Sequence, residues 1–207
     1  MRVLLLATLA LLASRAICQT EGATWTSVTI QKKLSDRFKA SVQPELRWTD
    51  TSLERRMIET GVEYSPVKFL STAVTHRYTM ETTNNGSLDY HRMALDLMGQ
   101  FEVNDWEPEV RLRYTNIKDF TADGGANFLR YKVGVGYDVP NFKGKPELSA
   151  EAFQELDGHT IRKMRYSVGG NYSINKSHSV ALAYKRDDFR SKQKFVNILD
   201  MGYKFKF

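Results

Sequence analysis

The last nine residues, Leu199-Asp200-Met201-Gly202-Tyr203-Lys204-Phe205-Lys206-Phe207, decide the fold. Leu199, Met201, Tyr203, Phe205 and Phe207 alternate with polar or small residues to the final position. Successive side chains of a β-strand point to opposite faces, so this segment has one apolar and one polar face. The same sorting continues upstream. Over 179–187, Val180, Leu182 and Tyr184 oppose Ser179, Ala181, Ala183, Lys185 and Asp187. Over 162–174, Met164, Tyr166, Val168, Gly170, Tyr172 and Ile174 oppose Lys163, Arg165, Ser167, Gly169, Asn171 and Ser173. Over 129–139, Leu129, Tyr131, Val133, Val135, Tyr137 and Val139 oppose Arg130, Lys132, Gly134, Gly136 and Asp138. A helical period would not separate these residues.

Earlier segments repeat the pattern at 38–48, 58–64, 70–78, 92–101 and 106–114, and more weakly at 147–155 and 25–34. Their connections read as alternately tight and long. Leu34-Ser35-Asp36, Ser65-Pro66-Val67, Asn104-Asp105 and Asn175-Lys176-Ser177 are tight, whereas 82–89, 116–127 and 156–160 are longer and polar. That rhythm predicts an up-and-down meander, with tight turns at one end and loops at the other. The segments number about eleven. Single-chain bacterial barrels carry even counts. Ten strands, with 25–34 as a lead-in, or twelve are therefore the alternatives.

Alternation alone does not say which face meets the core. A soluble barrel hides its apolar face, and a membrane barrel turns it outward. Three observations favour the second. The polar faces carry charges of both signs: Glu59, Glu63, Arg77, Arg92, Asp96, Glu109, Arg111, Arg113, Arg130, Lys132, Glu147, Glu151, Glu155, Lys163 and Arg165. On one inferred surface these line a lumen and pair across it. Aromatic residues lie toward segment ends, at Trp48, Tyr64, Tyr78, Trp106, Tyr114, Tyr172 and Tyr203. Amphipathic rings prefer the membrane–water boundary. Finally, the closing strand resembles the C-terminal signal of outer-membrane proteins. The resemblance implies that Tyr203, Phe205 and Phe207 are read by the barrel-assembly machinery during insertion.

Composition permits this class without dictating it. The chain has 207 residues, 26% charged and 12% aromatic, with a mean hydropathy of -0.45. Beyond the N-terminus it has no apolar run of the roughly 20 residues that a spanning helix requires. The N-terminus reads as a signal peptide, with Arg2 as its positive region and the apolar stretch 3–13 after it. Cleavage after Ala16 or after Cys18 fits, the latter giving a signal over 1–18 and a barrel over 19–207. Ile17 is too large for the small residue normally placed before a lipidated cysteine. The signal removes two of 30 basic residues and no acid, so the exported chain carries 28 against 24, a net +4. Without Cys18 it has no cysteine and no disulfide. Basic residues alternate along strands rather than clustering, which argues against a nucleic-acid partner.

The early Trp25, the arginine strand Val110-Arg111-Leu112-Arg113-Tyr114, the segment 146–153, then Arg165-Tyr166, Gly169, Tyr172 and Asn197-Ile198-Leu199 resemble a family of bacterial outer-membrane proteins, the domain of unknown function numbered 2490. The resemblance covers nearly all of the exported chain. It implies fold and location and no activity.

Residues with chemistry are few. His76 lies in the apolar register, where an outer-wall lipid hydrolase would place a base. A base needs a nucleophile within hydrogen-bond reach, and no serine with an acidic partner stands at cross-strand spacing. Glu147, Glu151 and Glu155 share a face and are expected to pair with Arg111, Arg113, Arg130 or Arg165. No metal-ligand spacing and no phosphate-cradling loop occurs, so no cofactor is expected. The sequence thus predicts an all-β protein: an antiparallel up-and-down transmembrane β-barrel of ten to twelve strands, preceded by a signal peptide. It is expected to be monomeric, without enzymatic activity, in contact with outer-membrane lipid, and largely filled by charge. A structural or binding role leads. A narrow, porin-like channel for small, preferentially anionic solutes comes second, and a lipid-modifying hydrolase third.

Overall fold

The computed structural model describes residues 21–49, 52–83, 86–119, 126–190 and 194–207. The expected signal peptide and its expected cleavage site, including Gln19, lie outside them. Eleven strands follow in order: β1 (Glu21–Lys33), β2 (Phe38–Thr49), β3 (Ser52–Val67), β4 (Leu70–Thr83), β5 (Gly86–Gln100), β6 (Trp106–Asp119), β7 (Ala126–Tyr137), β8 (Gly144–Glu155), β9 (Thr160–Ser173), β10 (His178–Phe189) and β11 (Lys194–Lys206). Each pairs with its neighbours in sequence, and β1 with β11 closes the barrel. The strands are 12 to 16 residues long. A tilted strand needs about 9–11 residues to cross the hydrocarbon.

The weakest sequence element, 25–34, is a full strand, so the count is eleven. An odd meander sends its first and last strands in the same direction. The closing pair is therefore parallel, in register from Glu21↔Val196 to Gln31↔Lys206, while neighbours in sequence pair antiparallel, as β1 does with β2 and β10 with β11. Two further hydrogen bonds extend the closure, from Phe207 N to the Gln31 carbonyl (3.0 Å) and from Lys33 N to the Phe207 carbonyl (3.2 Å).

The expected contrast between tight turns and long loops does not hold. The ladder of β4 and β5 runs to Thr82↔Ser87 and Thr83↔Gly86, so most of 82–89 is strand. Ser65 and Pro66 lie within β3. The connection from β7 to β8 spans 138–143, as long as any at the other end. Polar residues toward the strand ends keep strand pairing, and composition alone reads them as loop.

The apolar rows face outward. Val133 is 59% exposed, Leu148 57% and Leu182 57%. The buried set is largely polar: Glu45, Arg77, Thr79, Asp96, Thr115, Arg130, Glu151 and Asp187, with Trp25, Met57, Ala73, Ala94 and Ile198. Aromatic contacts on the outer wall ring the end that carries Phe207. Phe38 meets Tyr64 at 4.8 Å, Trp106 meets Tyr137 at 4.8 Å, and Phe142 meets Tyr172 at 5.9 Å between centroids. Toward the opposite end the outward rings include Tyr114, Tyr131, Tyr166 and Tyr184.

Candidate functional site

The barrel interior holds a cavity of about 490 Å³. One side of it is a wall of arginines. Registers on β4 to β7 set like charges directly opposite each other, Arg77↔Arg92 and Arg113↔Arg130. Such pairs repel unless an anion lies between them. Glu59 lies between the first pair, accepting from Arg77 Nε at 2.8 Å and Arg92 Nη2 at 3.0 Å. Glu151 takes Arg111 at 2.8 Å and Arg130 at 2.9 Å. Asp96, 1% exposed, accepts two bonds from Arg113, at 2.5 and 2.7 Å. Glu45 takes Arg47 at 2.6 Å and Arg77 at 3.2 Å. Arg47, Arg77, Arg92, Arg111, Arg113 and Arg130 thus share Glu45, Glu59, Asp96 and Glu151, and cations outnumber carboxylates by two. Among the described residues the Nε atoms of Arg92 and Arg111 are buried without a hydrogen-bond acceptor, the nearest carboxylate oxygen to Arg111 Nε being that of Asp96 at 4.0 Å.

The facing side is built from small residues: Ser27, Ser167, Gly169, Ala181, Ala183 and Gly202 line the cavity there. Glycine at 169 is a packing requirement, since a Cβ would run into the Leu182 carbonyl and Ala183. This side holds a smaller charged group. Asp187 takes Arg165 at 2.5 Å and Lys163 at 2.8 Å, and Lys185 pairs with Asp200.

Two inward aromatics join the sides. Arg47 lies over the Trp25 ring at 3.7 Å, with Arg165 at 4.8 Å and Lys185 at 5.4 Å. Phe153 receives Lys163 at 4.1 Å and Arg130 at 4.3 Å. Cations stack on ring faces because the π-cloud is negative there.

Of the residues picked from sequence, Arg77, Arg92, Arg111, Arg113, Arg130, Lys132, Glu147, Glu151, Lys163 and Arg165 line the cavity. Glu59 and Asp96 stand behind it as acceptors for the arginines. Glu109 pairs with Lys132, and Glu63 with Lys39 at 2.7 Å toward the Phe207 end. The expected pairing of the β8 carboxylates needs correction. Only Glu151 meets the named arginines, while Glu147 accepts from Asn171 at 2.6 Å and Glu155 from Arg162 at 2.5 Å. Trp25, Glu45, Arg47, Phe153, Lys185, Asp187 and Asp200 also belong to the lumenal network and were not picked. Their in-register alternation with residues that were picked was the available signal.

Outside the barrel, His76 bonds His91, Nε2 to Nδ1, at 2.7 Å. His178 Nδ1 bonds the Tyr203 hydroxyl at 2.5 Å. In the closing strand, Phe205 stacks on His178 at 4.9 Å and on Phe207 at 5.6 Å.

With this geometry in hand, the comparisons are specific. The family described as "Protein of unknown function (DUF2490)" matches residues 22–194. The chain belongs to this family. Among solved structures, this family member is similar to the β domain of the Bordetella autotransporter BrkA: TM-score 0.55, 12% identity, 84% of this chain and 86% of that one. It is equally similar to the NanC porin: TM-score 0.55, 13% identity, 90% of this chain and 98% of that one. Identities this low show a shared fold, that of outer-membrane β-barrels. A search of curated proteins gives no match.

Proposed function

We propose that this DUF2490 protein is exported to the bacterial outer membrane, sits there as a monomeric barrel inserted by the assembly machinery, and receives small anions in its lumen. The apolar exterior and the shared fold support the location. One observation carries the function: six arginines share four carboxylates around a cavity of about 490 Å³. A low-dielectric tube lined by excess charge of one sign concentrates ions of the other. The reading assigns no catalytic role and no cofactor.

A closed barrel is the second reading. It is favoured by the carboxylates of the arginine wall, most of which engage two cations at once. Conductance in planar bilayers separates the two. With a potassium chloride gradient, the protein is expected to give discrete steps whose reversal potential favours chloride. The double variant Arg92→Gln, Arg111→Gln should move that preference toward unity. A lumen without steps supports the closed barrel, and a preference for potassium overturns the anion reading.

A further inference from the structure

Strand β10 turns an arginine toward the bilayer. Arg186 occupies the outward register two residues beyond Tyr184, which is 42% exposed on the same face. A charged side chain facing lipid is disfavoured in a depth-dependent way, and such positions tend to be functional. The guanidinium lies over the Phe195 ring, 4.2 Å from its centroid. Among the described residues no carboxylate lies within ion-pair distance of it, Asp188 on the same face included. The cation is held on the ring face, with no counter-ion among the described residues.

Beside it the outer wall is hollowed. A groove of about 870 Å³ crosses β7 to β11, with Val133, Leu148, Val168, Tyr184, Arg186 and Asp188 among its lining. Its origin is visible in the register. Val133 pairs with Ala150, Ala150 with Tyr166, and Tyr166 with Arg186. A single methyl thus stands in a row of larger side chains, and the hollow opens where hydrocarbon would lie. Its apolar length suits an acyl chain, and the cation at one end suits a phosphate.

We propose that this groove is a site for one membrane lipid with an anionic phosphate headgroup. The acyl chain lies over Ala150 and the phosphate pairs with Arg186. The site is separate from the lumen and stands or falls without the anion reading. It does rest on the outer wall being in a bilayer.

Native mass spectrometry of the full chain in detergent tests it, with phosphatidylglycerol and diacylglycerol as probes. Wild type is expected to retain one phosphatidylglycerol per barrel and to bind diacylglycerol about fivefold more weakly, the usual effect of one basic residue at a membrane surface. Arg186→Gln should abolish that preference, Arg186→Lys should keep most of it, and Ala150→Leu, which fills the groove, should weaken both lipids. Arg56→Gln is the control. Arg56 is also outward and exposed but stands outside the groove, so its loss should leave retention unchanged. Circular dichroism and monomer mass confirm that each variant is folded. Equal retention by wild type, Arg186→Gln and Ala150→Leu overturns the proposal. So does an equal loss in Arg56→Gln, which would show diffuse headgroup contact, or a dimer abolished by Ala150→Leu, which would show a second copy in the groove.

Discussion

The two sides of the lumen solve opposite problems. On β3 to β7, long cationic side chains are crowded in like-charged cross-strand pairs, and carboxylates from neighbouring strands hold them apart. On β9 to β11 and β1, serine, glycine and alanine leave room, and backbone lies close to backbone. The cavity exists because the sides are unequal: the arginines reach toward space that the small residues do not fill. Charge balance limits one side and volume limits the other.

Substitutions can break this contrast, and the largest effect is expected at Asp96. Asp96→Asn removes the anion from a buried cluster around Arg113 and Arg111. Breaking a buried pair from one side costs about 3–5 kcal/mol. Urea unfolding in lipid vesicles should show that loss, and a change below about 1 kcal/mol would mean that water already screens the arginine side. A smaller effect is expected on the opposite side. Gly169→Ala should destabilise by about 1–3 kcal/mol through overpacking against Ala183 and the Leu182 carbonyl. The same unfolding assay checks it, and a neutral result would show that β9 and β10 can separate at little cost. The smallest effect is expected at the lumen mouth. Lys39 is 42% exposed in its bond to Glu63, so Lys39→Ala should cost less than about 1 kcal/mol. A larger loss would extend the tightly coupled network to the rim.

Much of the architecture was legible in the sequence because sidedness was. Where the two faces differ sharply, as at 162–174 and 129–137, alternation identified the strand and its apolar row, and the charges of both signs on the opposite face turned that row outward. In β1 the contrast is weak. Its outward row is apolar only at Val28 and Ile30, Thr24 and Thr26 being scarcely more apolar than the inward Ser27, Thr29 and Gln31, and its one large ring, Trp25, points inward, so a true strand could read as a lead-in. Trp25 and Phe153 were missed in the lumen because aromatic rings suggest a membrane-facing position. Both instead stack under cations, an arrangement that depends on strands distant in sequence. Ion-pair partners were legible only in part. Neighbouring strands lie about 4.8 Å apart, and an arginine is long enough to reach past one. Arg111 on β6 thus reaches Glu151 on β8, across β7. Closure was the least legible feature, since a parallel partner at the far end of the chain leaves no local pattern.

That closure has a consequence for biogenesis. Every other strand can zip onto the hairpin made just before it, but β1 must wait for a partner from the opposite end of the sequence. Contacts between remote segments form late, so the nascent sheet stays an open ribbon until β11 arrives. A parallel ladder is also slightly weaker per residue than an antiparallel one. The seam between β1 and β11 is therefore expected to be the last to shut.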